Sequence, residues 1–272
     1  VIDTIEGAAP EARPPRARRQ APEVPPGWTV GPPDFIGIGV HKAGTTWWFN
    51  LLLAHPGVDG DPARKELHML GQLRRMELTP ERLAWYHRQF PRAPGHRAGE
   101  WTPRYMAMPA LPAIIERVAP QARLLAIVRE PVERYRSGLS QWLELARDDP
   151  ADLDLRAGQR EAFMRGLYGR QVQRIVDVVG SDRLLVLQYE RCARDAQAEY
   201  DRTLAHVGLE RHVLDPGLLG RRVNATEIEK EPLTPAEEER LVAEYAPDVR
   251  LLATLVPDLD LDLWPRFRDA AR

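Results

Sequence analysis

The sequence predicts an α/β protein with a central parallel sheet flanked by helices in three layers. Three observations carry this reading. Short, continuous apolar runs, suited to buried parallel strands, recur at 35–40, 124–128 and 184–187. Long helix-patterned stretches separate them, as crossover connections require. The first run empties into a glycine-containing loop that leads onto a helix, His41-Lys42-Ala43-Gly44-Thr45-Thr46.

In chain order, residues 8–34 contain eight prolines and a basic cluster from Arg13 to Arg19. Residues 1–34 read as a flexible, extended lead-in, and 35–272 as one domain. Strand 35–40 precedes a helix over about 46–54. An irregular polar stretch at 57–66 leads to helices near 67–77 and 80–90. Residues 99–106 lack periodicity and read as a loop. A helix near 109–118 precedes the strand at 124–128. Pro131 then opens a helix to about 146, at a position where a missing N–H costs nothing. One further helix is expected over 160–179, ending at Gly180, and another over 195–207, ending at Gly208. Thr234-Pro235-Ala236-Glu237 has the spacing of a capping box.

The 272 residues carry 38 Lys+Arg against 40 Asp+Glu, so whole-chain charge gives no basis for a nucleic-acid partner. Cys192 is the single cysteine, which excludes an intrachain disulfide framework and fits a reducing, cytoplasmic compartment. No apolar run approaches the length of a membrane span. A secretory-signal layout is absent from the first residues, but the chain begins with Val, which leaves targeting open.

The loop after the first strand has nearly the spacing of the nucleoside-triphosphate loop, G-x-x-x-x-G-K-[ST], with Gly39 and Gly44 at its glycines. The expected fold is P-loop-like for that reason. Its lysine, however, is Lys42, two residues before the second glycine, where the triphosphate loop has it one residue after. A helix N-terminus behind such a loop holds phosphate through free N–H groups and the helix dipole. The displaced lysine aims at a different bond. A second grip is expected at the next strand end, where Arg129 follows Val128 and Ser137 follows on the helix. Two such grips imply a nucleotide phosphorylated at two separated positions.

On these residues the chain resembles the sulfotransferases that use 3′-phosphoadenosine 5′-phosphosulfate. Gly39-Val40-His41-Lys42-Ala43-Gly44-Thr45-Thr46-Trp47 resembles their 5′-phosphosulfate loop. The segment from Ala126 to Ser137, Ala-Ile-Val-Arg-Glu-Pro-Val-Glu-Arg-Tyr-Arg-Ser, resembles their 3′-phosphate segment. Lys65-Glu66-Leu67-His68 and Gly99-Glu100-Trp101-Thr102-Pro103-Arg104-Tyr105 resemble the branch acting on polysaccharides and its bacterial relatives. Arg221, Arg222 and Asn224 fall where the family closes over its nucleotide.

The resemblance implies sulfuryl transfer to an acceptor hydroxyl or amine of a small molecule or glycan, with 3′,5′-diphosphoadenosine released and no metal required. Lys42 would neutralise the leaving oxygen. Residues 41–47 would hold the 5′-phosphate, and Arg129 and Ser137 the 3′-phosphate. Glu66 is the expected base, with His68 as the alternative; Lys65 would bind sulfate or tune Glu66. Where the polysaccharide branch has lysine, this chain has Trp101, which suggests an acceptor stacked on the indole and a cation supplied by Arg104 or Lys65. A bacterial natural-product or glycan acceptor is the expectation from resemblance. The competing readings are a small-molecule kinase, against which Thr45 after Gly44 argues, and a non-catalytic nucleotide-binding module.

Overall fold

The three apolar runs become the middle and one edge of a five-stranded sheet. A computed structural model describes residues 20–73, 77–147, 154–219 and 232–270. Its strands are β1 (Thr29–Val30), β2 (Phe35–Gly39), β3 (Val58–Asp59), β4 (Pro91–Arg92), β5 (Arg97–Trp101), β6 (Arg123–Val128) and β7 (Leu184–Gln188). The helices are α1 (Thr45–Leu53), α2 (Met69–Leu73), α3 (Pro80–His87), α4 (Leu111–Val118), α5 (Pro131–Arg147), α6 (Leu155–Met164), α7 (Tyr168–Val179), α8 (Tyr189–Arg194), α9 (Ala196–Val207), α10 (Pro216–Leu219) and α11 (Pro235–Leu255).

The sheet order is β3-β5-β2-β6-β7, and every pairing is parallel. All five residues of β2 are buried, as are five of the six in β6, which is why both read as unbroken apolar runs. Parallel strands deliver their carboxyl ends to the same rim. Val128 at the end of β6 is in register with Gln188 at the end of β7, and Gly39 of β2 lies opposite Ala126. The loops leaving β2, β6 and β7 therefore meet, and the site is built from that meeting.

Three expectations need correction. Residues 99–101 are not loop but the second half of β5, an interior strand between β3 and β2. Its sequence, Arg-Ala-Gly-Glu-Trp, hides the strand because its packing needs a glycine: a Cβ on Gly99 would sit 2.2 Å from the Phe35 carbonyl oxygen. The helix expected over 160–179 is two, α6 and α7. They part around Gly166, where a Cβ would fall 2.7 Å from the Tyr245 hydroxyl. The lead-in also ends earlier than 34. Thr29–Val30 pairs antiparallel with Pro91–Arg92, and Asp34 exchanges backbone bonds with Ala98 and Arg123. At Thr234 the capping box forms as expected, with Thr234 and Glu237 bonding reciprocally.

No helix among the described residues is long and apolar enough to cross a membrane.

Candidate active site

The first part of the site is the turn between β2 and α1. Val40 N–H donates to Ile127 O (3.0 Å), tying the loop to β6, and Ala43 N–H closes a turn onto Val40 O (3.3 Å). Gly44 caps α1 at φ 81°, and a Cβ there would meet the Tyr189 ring at 2.9 Å. Only glycine satisfies both demands. The helix has no side-chain cap and no acid in its first turn, so its N-terminal amides and dipole are left to an anion.

The second part comes from β6. Arg129 Nη1 donates to Lys42 O (3.3 Å), which seats its guanidinium against the phosphate loop. Its guanidinium carbon lies 5.1 Å from the Tyr189 ring centroid, and Tyr168 Oη donates to Arg129 O (3.0 Å). The surface-type pair with Glu133 is also present, but only at 4.0 Å. Ser137 is buried on the second turn of α5. Trp47 packs edge-on to Trp48 and to Tyr189, whereas Trp48 is wholly buried with Nε1 bonded to Thr203 Oγ1 (3.1 Å).

The third part arrives from the segment before α2. Lys65 Nζ lies 3.2 Å from Thr45 Oγ1 and 3.0 Å from Glu66 Oε1, and His68 Nε2 lies 3.3 Å from Glu66 Oε2. Loop hydroxyl, lysine, glutamate and histidine thus form one continuous chain of contacts. Lys65 is buried; burial pulls its ammonium down, against the support of Glu66. Burial pushes the Glu66 carboxyl up, but the hydrogen bond from His68 and the charge and hydrogen bond of Lys65 prevail and bring it down to about 2. Glu66 is an ionised acceptor at neutral pH.

Backbone geometry singles out the same residues. Lys42 (φ 69°) and His68 (φ 57°) are the non-glycine residues with positive φ among those described. A left-handed conformation at such residues costs about 1–3 kcal/mol and persists only where its surroundings enforce it, commonly at functional sites.

On the far side of the loop, His41 accepts a hydrogen bond at Nδ1 from Arg165 Nη1 (3.2 Å). The guanidinium is always a donor, so the imidazole's own proton is on Nε2. Burial, then Arg165, Arg134 and Lys42, push His41 down to about 3, so it is neutral in ordinary buffers. Arg165 also pairs with Glu161, and Arg104 reaches that same carboxylate (3.2 Å) from the exposed rim.

Trp101 is the expectation the structure reverses. Its side chain is fully buried, and Nε1 donates to Gly39 O (3.1 Å). The ring lies so close to Gly37 that a Cβ there would come within 2.0 Å of it. An indole locked beneath the phosphate loop offers no face to an acceptor. Its backbone N–H instead holds Lys65 O (2.8 Å). Arg221, Arg222 and Asn224 lie outside the described residues. Tyr189 and Arg165 were not anticipated. Tyr189 had one available signal, its place directly after the third apolar run.

A glycine-capped loop at one strand end, with an arginine on the neighbouring strand end leaning onto it, places the chain among three-layer α/β proteins with a P-loop-like fold. Residues 32–222 match the model of the sulfotransferase domain. The chain belongs to the sulfotransferase family.

Among its relatives are the mouse (Mus musculus) heparan sulfate glucosamine 3-O-sulfotransferase 3B1, 29% identical over 193 residues, covering 67% of this chain and 48% of the relative. The human (Homo sapiens) 3A1 protein of the same description is 28% identical over 193 residues, covering 67% and 46%. The chain spans about half the length of the curated relatives it matches. Among solved structures, a sulfotransferase from Alicyclobacillus acidocaldarius superposes with a TM-score of 0.66 at 25% identity, covering 87% of this chain and all of that one.

Proposed function

We propose that this protein moves a sulfuryl group from 3′-phosphoadenosine 5′-phosphosulfate to a hydroxyl of a glycan or small molecule, releasing 3′,5′-diphosphoadenosine. The observation that carries the reading is the chain of contacts Thr45–Lys65–Glu66–His68, which joins a phosphate-binding loop to an ionised carboxylate.

The residues present fit the donor. Backbone N–H groups at the start of α1, with Thr45 and Thr46, would hold its 5′-phosphate; Arg129 and Ser137, one strand away, would hold its 3′-phosphate. When the sulfur–oxygen bond to that 5′-phosphate breaks, negative charge grows on the bridging oxygen. Lys42 is the cation assigned to it. Losing such a preorganised donor costs about 3–4 kcal/mol, or roughly 10²–10³ in rate.

Glu66 takes the proton that the acceptor oxygen sheds as it bonds to sulfur, with His68 as its immediate partner. The Lys65 ammonium and the hydrogen bond from His68 that keep Glu66 ionised also weaken it as a base. Lys65 relieves this by turning from Glu66 toward the donor's anionic group, a short movement because Thr45 of the loop is already its second contact. Base strength then rises in part when donor is bound, the hydrogen bond from His68 remaining. No Walker-type lysine follows Gly44, and no observation favours phosphoryl transfer from a nucleoside triphosphate.

His41 feels the charge of Glu66 and is bonded to Arg165, which shares Glu161 with Arg104, so the groups gathered around Glu66 are polar and cationic. A glycan hydroxyl is therefore placed ahead of an aromatic phenol, in keeping with relatives named for heparan sulfate glucosamine. Radiolabelled donor offered with N-sulfated glycans, simple sugars and phenols tests both donor and acceptor. Transfer of label with stoichiometric diphosphoadenosine is the expected result. No transfer from this donor to any acceptor, alongside Mg²⁺-dependent phosphoryl transfer from ATP, would overturn the reading.

A further inference from the structure

We infer that Glu100, which lies one layer behind the reacting groups, is the positioning residue that holds the Glu66–His68 segment in its working conformation. The inference rests on the reading of Glu66 as the proton acceptor.

Glu100 is the fourth residue of β5 and is completely buried, and it forms no ion pair with any described residue. It accepts four groups instead. Leu67 N–H donates to Oε2 (3.3 Å), Thr102 Oγ1 to Oε2 (2.7 Å) and Tyr86 Oη to Oε1 (2.9 Å). Tyr105 Oη is shared between both oxygens at 3.2 Å. Two of these hydroxyls are themselves acceptors. His68 N–H donates to Thr102 Oγ1 (3.4 Å) and Leu70 N–H to Tyr105 Oη (3.2 Å). One carboxylate thus anchors three backbone amides, at residues 67, 68 and 70, directly or through one hydroxyl.

Those amides bracket the chemistry. Glu66 precedes the first of them, and His68, with its left-handed φ of 57°, is the second. A non-glycine residue stays in that region only when its neighbours over-determine it. Released, the backbone at 68 would return to an ordinary φ, and both the Glu66 and His68 side chains would swing. Burial pushes the Glu100 carboxyl up, and the protons its four partners present to it push it down, so the network favours a carboxylate over an amide. Leu67 N–H can only donate. The Thr102 and Tyr105 hydroxyls, already accepting from His68 and Leu70, direct their protons at Glu100. A glutamine would set its own N–H₂ against donors. A buried carboxylate without a cation is an expensive way to fill a core. Its four partners account for its presence by what they hold in place.

The test compares Glu100→Gln, Glu66→Gln, the double variant and Tyr105→Phe in the full chain. Affinity for 3′,5′-diphosphoadenosine is measured by calorimetry, and amide exchange is followed at residues 67–70. Steady-state kinetics use an N-sulfated heparosan oligosaccharide and p-nitrophenol as acceptor probes. In Glu100→Gln, diphosphoadenosine affinity stays within about threefold, kcat falls about 10- to 100-fold and acceptor KM moves little. Exchange at Leu67, His68 and Leu70 accelerates by about tenfold or more. Because Glu100 acts through Glu66, the double variant is no slower than Glu66→Gln alone.

Wild-type exchange at those amides in Glu100→Gln, or losses that multiply in the double variant, would overturn the inference. Should Glu100→Gln fail to bind diphosphoadenosine, Tyr105→Phe decides: it frees only the Leu70 amide and should lower kcat in the same direction by a smaller factor. Full activity of Glu66→Gln would sink the assignment of the base, while exchange at 67–70 would still report whether Glu100 holds the segment.

Discussion

Replacing Trp101 separates a buried support from an acceptor platform. In Trp101→Ala the core beside Gly37 and Gly39 loses the indole, and the Gly39 carbonyl loses its donor. Large-to-small substitution of a buried aromatic costs about 3–5 kcal/mol, and one orphaned buried carbonyl adds about 1–3. The sum, about 4–8 kcal/mol, is a large share of the ~5–15 kcal/mol that holds a typical domain folded. For a domain of this size each kcal/mol moves the midpoint by about 2–4 °C, so a drop of at least ~10 °C is expected in a thermal melt. Urea titration gives the same loss as a lower midpoint. Trp101→Phe keeps most of the volume but not the hydrogen bond and should lose about 1–3 kcal/mol. Diphosphoadenosine affinity should fall in Trp101→Ala, since the indole supports the loop from below and its Nε1–H holds Gly39 O. Unchanged stability in Trp101→Ala, with a raised acceptor KM as the main effect, would refute the reasoning and return the indole to the acceptor.

Lys42→Ala should lower kcat by roughly 10²–10³, a loss out of proportion to any shift of the thermal midpoint, because the side chain is asked to stabilise a transition state. Gly44→Ala forces a Cβ into the Tyr189 ring at a φ of 81°, so diphosphoadenosine titrated into the variant should bind at least about tenfold more weakly than to wild type. His41 gives a pH signature. Its proton affinity is lower folded (about 3) than unfolded (6.5), so the unfolded chain binds the extra proton between those values. The contribution of His41 is therefore complete above pH 6.5 and declines below it, by up to about 1.4 kcal/mol per pH unit, and the stability difference between wild type and His41→Gln should change with that slope in urea titrations run from pH 7 to 5. Glu66, also lowered in the folded state, adds its loss only below about pH 4.5; His206, lowered by burial, acts in the same direction as His41, and Glu130, raised to about 7, in the opposite one, so the difference between wild type and His41→Gln is what isolates His41.

What could be read from residues alone was what local sequence determines. Strands β2, β6 and β7 showed as apolar runs because burial on both faces leaves no alternation to interpret. The loop at 39–46 and Arg129 were legible because each directly follows such a run, and parallel strands place their exits on one rim. β5 escaped because its interior position is served by small and polar residues: Gly99 accommodates Phe35, and Glu100 is satisfied by partners 14 and 33 residues away. Tyr189 and Arg165 escaped for a related reason. Each matters through contacts with a loop more than 120 residues earlier; only the place of Tyr189 just after β7 hints at it, and nothing adjacent to Arg165 does. Trp101 was misassigned because a tryptophan in a family-like motif reads equally as platform or core. Only Gly37, its partner on the adjacent strand β2, decides.

The proposed function requires two neighbouring strand ends, one bearing Lys42 and the other Arg129, to hold a nucleotide phosphorylated at both its 3′ and 5′ positions. Calorimetry of wild type and Arg129→Ala against 3′,5′-diphosphoadenosine, adenosine 5′-phosphate and ATP–Mg²⁺ addresses it most directly. Tight binding of the diphosphate, weakened to the level of the 5′-monophosphate in Arg129→Ala, is the predicted result. Binding of ATP–Mg²⁺ in preference to the diphosphate, or no effect of the 3′-phosphate in wild type, would contradict it.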